Sequence, residues 1–301
     1  MKNSIFALGV AITCSLVQAQ TTLWQPSPGH TQVPIWPGNV PDAQPLSGPE
    51  TATTIAAKPY ISVTNVSQPT MTVYSPTGKN TGTAVVVFPG GGYQILAIDL
   101  EGTEICDWLA SKGITAILLK YRVPLQRAEL YSEPSPQALE DAQRTLGLVR
   151  FHAAEWHIDP HKIGVIGFSA GGHMVAAIST HFDKRLYLAV DAADQQSCRP
   201  DFAIACYPGH LYSKDKGFTL NPNIPVTRDT PPTFILQAEN DPVDNINNSL
   251  VYYMALKNAG VPVEMHLYAQ GSHGFGLRPT KLPITHWPTL VETWLRTIGM
   301  I

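Results

Sequence analysis

The sequence predicts an α/β domain: a mostly parallel central sheet with helices on both faces and an N-terminal antiparallel hairpin. Two observations carry that prediction. Runs such as Ala84–Phe88 and Ile163–Phe168 are apolar throughout, with no polar face, which marks strands buried on both sides. Between such runs lie stretches with apolar residues at helical spacing, and alternating strands and helices favour parallel pairing through crossover helices.

From residue 20 to 59 the chain is rich in Pro, Gly, Ser and Thr without a sustained period, and reads as an extended arm over the domain or a partly disordered one. Residues 61–66 and 70–74 are β-branched runs separated by a polar turn and predict the hairpin. The strand at Ala84–Phe88 follows, then a helix over 101–112 and a strand over 114–119. Leu139, Ala142, Leu146, Val149 and Ala153 give a helical stripe within 137–156. Strand Ile163–Phe168 and helix Ala170–Ile178 come next. Strands at 202–207, Thr233–Ala238 and Val263–Tyr268 and helices at Asn247–Asn258 and 288–298 complete the pattern, with no repeat at a fixed period. Ligands of such a sheet sit at the carboxyl ends of its strands.

An apolar share of 44% over 301 residues supplies a sizeable core. Charged residues are scarce, 14% against roughly 25% in an average soluble domain. The net charge of −3, with no long run of one sign, argues against a groove for nucleic acid or an electrostatic membrane footprint. At the N-terminus, Lys2 precedes an apolar stretch over 5–17, and Val17-Gln18-Ala19 offers small residues for cleavage. This is the pattern of a signal peptide over residues 1–19, too short to span a bilayer, so a secreted or periplasmic product is expected. Cys14 would leave with it. Cys106, Cys198 and Cys206 remain, enough for one disulfide at most. Cys198 and Cys206 could pair, or all three could be small buried apolar groups, and the sequence leaves that choice open.

Gly167-Phe168-Ser169-Ala170-Gly171 stands where a strand passes into a helix. A serine in so sharp a turn takes a strained backbone conformation, and its neighbours two residues away must be tiny. Phe88-Pro89-Gly90-Gly91-Gly92-Tyr93 follows the Ala84–Phe88 strand directly. Acyl transfer builds negative charge on a carbonyl oxygen, and close main-chain N–H groups stabilise it. Gly91, Gly92 and Ala170 are the expected donors of this oxyanion hole. A serine hydroxyl needs a base, and the base needs a carboxylate to fix its tautomer. Among the late histidines, His266 lies within a strand and His286 at a helix start. His273 sits in the glycine-framed loop Gly271-Ser272-His273-Gly274, free to reach over the strand ends. For the acid, Asp241 lies in the first turn after Thr233–Ala238, with Asp244 as the fallback or as a cap of the next helix.

The order G-x-S-x-G, then D-P-V after a late strand, then G-x-H-G-F-G resembles the α/β-hydrolase superfamily, and more narrowly the bacterial carboxylesterases related to acetyl-xylan and feruloyl esterases. The resemblance runs from about Thr81 to the C-terminus. It includes Lys120-Tyr121-Arg122-Val123-Pro124 and Asp141-Ala142-Gln143-Arg144, which look like structural signatures beside the sheet. It implies the α/β-hydrolase fold over residues 60–301 and a Ser–His–Asp hydrolase of short acyl esters, often acetyl groups on sugars, needing neither cofactor nor metal. One departure is Pro89, where many relatives carry histidine. The expected partner is a small-molecule or carbohydrate ester, with no nucleic acid or membrane and an open oligomeric state. Tyr93 and His173 are candidate substrate contacts, though packing is the commoner role for residues so placed. Asp99 and Glu101 read as charges favourably placed at a helix start. The segments 123–136, 183–200 and 210–231 are expected to rim the pocket. Two rivals share part of this reading. A prolyl-oligopeptidase-like peptidase has the same catalytic layout but normally carries a propeller, for which the 282 residues left by cleavage give no room. A catalytically dead glycan-binding homologue would not need all three triad positions.

Overall fold

The computed structural model describes residues 23–46, 48–56, 59–123, 135–213, 215 and 217–301. The leader over 1–19, Cys14 and most of the segment 123–136 lie outside them.

An eight-stranded sheet forms the body. In spatial order its strands are β1 (Gln32–Pro34), β4 (Thr70–Tyr74), β7 (Thr115–Lys120), β5 (Ala84–Phe88), β8 (Ile163–Phe168), β9 (Ala203–Cys206), β10 (Thr233–Ala238) and β11 (Val263–Tyr268). The first two are antiparallel to their neighbours; every pairing from β7 to β11 is parallel. All residues of β5, β7, β8, β9 and β10 are buried, as continuous apolar runs require when helices cover both faces. Helices α2 (Pro136–Phe151), α3 (Ala170–Ile178) and α4 (Asn247–Asn258) cover one face, Ala176 and Ala177 of α3 packing with Tyr252 and Leu256 of α4. Helices α1 (Glu104–Ser111) and α5 (Trp287–Thr297) cover the other, joined by Trp108 and Trp287 at 5.5 Å. Ser135 caps α2 by accepting from the Ala138 N–H, with Pro136 at the first helical position. Among the described residues no helix is long and apolar enough to cross a membrane.

The N-terminal hairpin is present, but its strands are not 61–66 and 70–74. β2 (Thr51–Ile55) pairs antiparallel with β3 (Tyr60–Thr64), which also pairs with β6 (Ile95–Ala97), making a separate three-stranded sheet. Thr70–Tyr74 instead joins the main sheet beside β7. The turn between the two runs therefore carries the chain from one sheet to another.

Residues 23–46 lie against the domain. Trp24, Ile35 and Trp36 are buried, and Trp36 Nε1 donates to Asp141 Oδ1 at 2.9 Å. The buried Asp141 also accepts from the Arg122 guanidinium and main-chain N–H, and Arg122 reaches Glu140. Arg144 pairs with Asp191 and Asp194. These two signature segments thus tie arm, sheet and α2 together. Cys106, Cys198 and Cys206 are all free and buried. Burial pushes each thiol above its usual range.

Candidate active site

Ser169 stands between β8 and α3 with φ 53° and ψ −118°, a conformation rarely adopted by residues with side chains. The sharpness of the turn explains its glycines. A Cβ on Gly167 would stand 2.1 Å from Gly171 O, and one on Gly171 would stand 2.1 Å from Phe88 O. Only hydrogen fits at either position. The Ser169 N–H donates to Cys206 O at 3.0 Å, which anchors the turn to β9.

His273 and Asp241 converge on this hydroxyl. His273 Nε2 is 3.0 Å from Ser169 Oγ, and Nδ1 is 2.7 Å from Asp241 Oδ2. An ionised carboxylate only accepts, so Nδ1 carries the proton and Nε2 offers its lone pair to the serine. Asp241 is fully enclosed, and its Oδ1 also accepts from the N–H groups of Val243 and Asp244 at 2.8 and 3.0 Å. Burial alone would lower the imidazole's pKa. The hydrogen bond and charge of Asp241, with the charges of Asp244 and Glu101, outweigh it and raise His273 above its ordinary value.

The glycine turn after β5 faces the same hydroxyl. Gly91 and Gly92 line the cleft with Ser169. Among the described residues nothing in the chain accepts from the N–H groups of Gly91, Gly92 or Ala170. Pro89 does not leave this turn unsupported: Tyr121 Oη donates to Pro89 O at 2.5 Å, and the Gly90 N–H donates to Glu101 Oε2 at 2.8 Å.

Sequence reasoning missed Glu101. It sits on a wide turn of π-helical geometry, Asp99–Thr103, in which the Thr103 N–H donates to Ile98 O. It is buried rather than solvated at a helix start, and accepts from Tyr207 Oη at 2.8 Å as well as from Gly90. Burial raises its pKa against the pull of those donors and of His273. Tyr207 in turn packs its ring against His273 at 4.9 Å. Glu101 therefore braces both the glycine turn and the wall behind the imidazole. Asn240 was also missed; its Oδ1 accepts from the N–H groups of Gly271 and Ser272 at 2.9 Å and pins the histidine loop to the acid loop. An acidic residue among apolar neighbours, Leu100 and Ile98, was the one signal for Glu101.

Three expectations need correction. Tyr93 and His173 do not line the cleft: the left-handed turn at Tyr93 (φ 57°) sends its ring inward, where Oη meets His173 Nδ1 at 2.7 Å. Burial, with His210 and His181 nearby, pushes His173 down to about 3, so it is neutral. Asp244 caps no helix, since α4 starts at Asn247; its Oδ2 is 3.2 Å from Ser169 Oγ. Nor is the rim drawn from 183–200, and among the described residues of 210–231 only His210 lines the cleft. The walls of this cavity of about 670 Å³ come from Tyr60, Ile95, Leu100, Pro242 and Val243, with Asp244 at its floor beside Ser169.

Comparison with known proteins adds the following. The BD-FAE family model matches residues 71–208, and that of the prolyl oligopeptidase family matches 140–294. An acetylxylan esterase of Xylanibacter ruminicola is 32% identical over 217 residues, covering 65% of this chain and 41% of that protein. Endo-1,4-beta-xylanase B of Butyrivibrio fibrisolvens is 31% identical over 208 residues, covering 63% and 32%. The chain thus spans less than half the length of either relative. Among solved structures, the acetyl ester-xyloside bifunctional hydrolase of Caldicellulosiruptor lactoaceticus superposes with a TM-score of 0.72 at 33% identity, covering 90% of this chain and 97% of that one.

Proposed function

The chain belongs to the α/β-hydrolase superfamily, among the carboxylic ester hydrolases related to acetylxylan esterases, and from that premise we propose that it is an exported serine carboxylesterase that removes short acyl groups, acetyl above all, from the hydroxyls of plant polysaccharide. The hydrogen-bonded line from Asp241 through His273 to Ser169 carries the reading. Ser169 Oγ attacks the ester carbonyl while its proton passes to His273 Nε2. Asp241 holds the imidazole in the required tautomer and stabilises the imidazolium. The oxyanion is received by the free N–H groups of Gly91, Gly92 and Ala170. As the intermediate collapses, His273 returns the proton to the departing alcohol oxygen and leaves an acyl-Ser169. Water deprotonated by His273 then attacks that acyl group, releasing the acid and restoring the hydroxyl. The chemistry asks for no cofactor.

Residues 60–301 form the catalytic domain in this reading, 20–59 the arm and 1–19 a cleaved leader. The polysaccharide is suggested by the names of the xylan-related relatives. Ser169→Ala should lower p-nitrophenyl acetate hydrolysis by about 10⁴-fold or more with an unchanged melting temperature. A fluorophosphonate should label wild type at residue 169; turnover retained in the variant would overturn the assignment. N-terminal sequencing of the product recovered outside the cytoplasm checks the leader. The match to the prolyl oligopeptidase model favours a second reading, a peptidase on the same triad. Proline-containing peptide amides measured beside acetyl esters separate the two.

A further inference from the structure

Two carboxylates of the cleft, Glu101 and Asp244, stand outside the proposed triad; Glu101 already accepts from Gly90 and Tyr207, and Asp244 faces the nucleophile. Its Oδ2 lies 3.2 Å from Ser169 Oγ and 3.9 Å from His273 Nε2, on the nucleophile's side of the imidazole. Asp241 holds the opposite edge. The position of Asp244 is built: its N–H donates to Asp241 Oδ1, and its carbonyl accepts from the Nε2 of the buried Gln237 at 2.7 Å. Gly209 makes room for it, since a Cβ there would stand 2.6 Å from Asp244 Oδ1.

A hydroxyl has one proton, so Ser169 satisfies either His273 Nε2 or Asp244 Oδ2 at a given moment. When Ser169 attacks, that proton goes to His273, and in the acyl-enzyme Oγ has none to give. Asp244 therefore loses its donor at the step where the barrier is crossed, on a side chain only 17% exposed. A shielded carboxylate without a donor is costly. The departing oxygen must lie beside Nε2 to collect its proton. Substituents on the next carbon of the alcohol then fall within reach of an acceptor 3.9 Å from Nε2.

We propose that Asp244 accepts a hydrogen bond from a free hydroxyl on the carbon adjacent to the esterified one, so that the enzyme selects esters of vicinal diols, such as partly acylated sugars, over esters whose neighbouring position carries no donor. The proposal rests on the serine-esterase reading above. A methoxy group at that position offers only lone pairs to a carboxylate and is rejected; a hydrogen leaves the carboxylate bare.

The test uses methyl xylopyranosides bearing one acetyl group, with the adjacent position carrying hydroxyl, methoxy or hydrogen. In wild type, kcat/KM should favour the hydroxyl substrate by about 10- to 100-fold. The preference should fall to within about threefold of unity in Asp244→Val and to an intermediate value in Asp244→Asn, which keeps an acceptor without its charge. Each ratio is internal to one enzyme, so a lower overall rate does not disturb it. If neither variant folds, the wild-type series decides alone. A wild-type ratio near unity, or the same ratio in wild type and Asp244→Val, overturns the proposal. Acetate release from p-nitrophenyl acetate, which has no neighbouring hydroxyl, reports separately on the reading beneath: its absence in wild type, or its survival in Ser169→Ala, sinks the esterase and not the selectivity argument alone.

Discussion

At the turn after β8 the backbone has no latitude. Ser169 is held at φ 53°, and the carbonyls of Phe88 and Gly171 stand where any side chain at 171 or 167 would go. The loop after β10 is specified differently. Asp241 and Asp244 approach the same imidazole from opposite edges, held by hydrogen bonds to the N–H groups of 243 and 244 and to Gln237 rather than by steric exclusion. One region places its serine by what cannot fit, the other places two carboxylates by what they accept. Steric placement tolerates no substitution in its frame. Placement by hydrogen bonds tolerates a substitution if the acceptor survives, and then exposes what the charge contributes.

The largest effect should come from breaking the carboxylate side at its enclosed member. Asp241→Asn keeps the size and still offers an oxygen, but it allows the wrong imidazole tautomer. Loss of about 10⁴ in kcat with little change in KM is expected from steady-state kinetics on p-nitrophenyl acetate. Asp244→Asn, three residues away, should lose far less on that substrate, about tenfold at most, because nothing in the proposed proton relay passes through it. Equal losses would erase the distinction drawn between the two edges. On the steric side, Gly171→Ala should cost on the order of 3 kcal/mol of stability, read as a lowered melting temperature, since the clash is with backbone oxygen that cannot rotate away.

How legible each region was in the sequence follows from the same difference. The elbow's demand is local, glycine two residues to either side of a serine at a strand–helix junction, and a string of residues can express it. The acid loop expresses only candidates. Asp241 and Asp244 follow the same strand within one turn, and their roles depend on where His273 arrives from a loop 32 residues later. Glu101 was readable as a charge near a helix but not as a buried one, because its burial is made by Gly90 and Tyr207, distant along the chain. Strand partners show the limit again. Thr51–Ile55 is mostly polar and hidden in a Pro- and Thr-rich arm, so the local turn before Thr70 seemed to pair its flanking runs, while burial of apolar Met71 and Tyr74 drew that strand to β7. The glycine turn was readable; the inward roll of Tyr93 was not, since it depends on meeting His173 from α3.

The smallest predicted effect separates charge from position within the site. His273 is raised above its ordinary value, with Asp241, Asp244 and Glu101 raising it, in that order of strength. The relay needs the neutral imidazole, so kcat/KM should rise with pH through that raised value and fall below it. Removing a carboxylate that stabilises the imidazolium makes the proton easier to lose, and the acid limb must then move to lower pH. Asp244→Asn should shift it by more than Glu101→Gln does, in the same direction. Glu101→Gln keeps an oxygen for the Gly90 N–H or the Tyr207 hydroxyl, so its loss in kcat/KM at the pH plateau should stay near tenfold or less. A limb that moves upward in either variant would mean that its carboxylate does not act on the imidazole through charge. Glu101 would then serve only to brace the glycine turn, and Asp244 would act only as the proposed acceptor for the hydroxyl beside the ester.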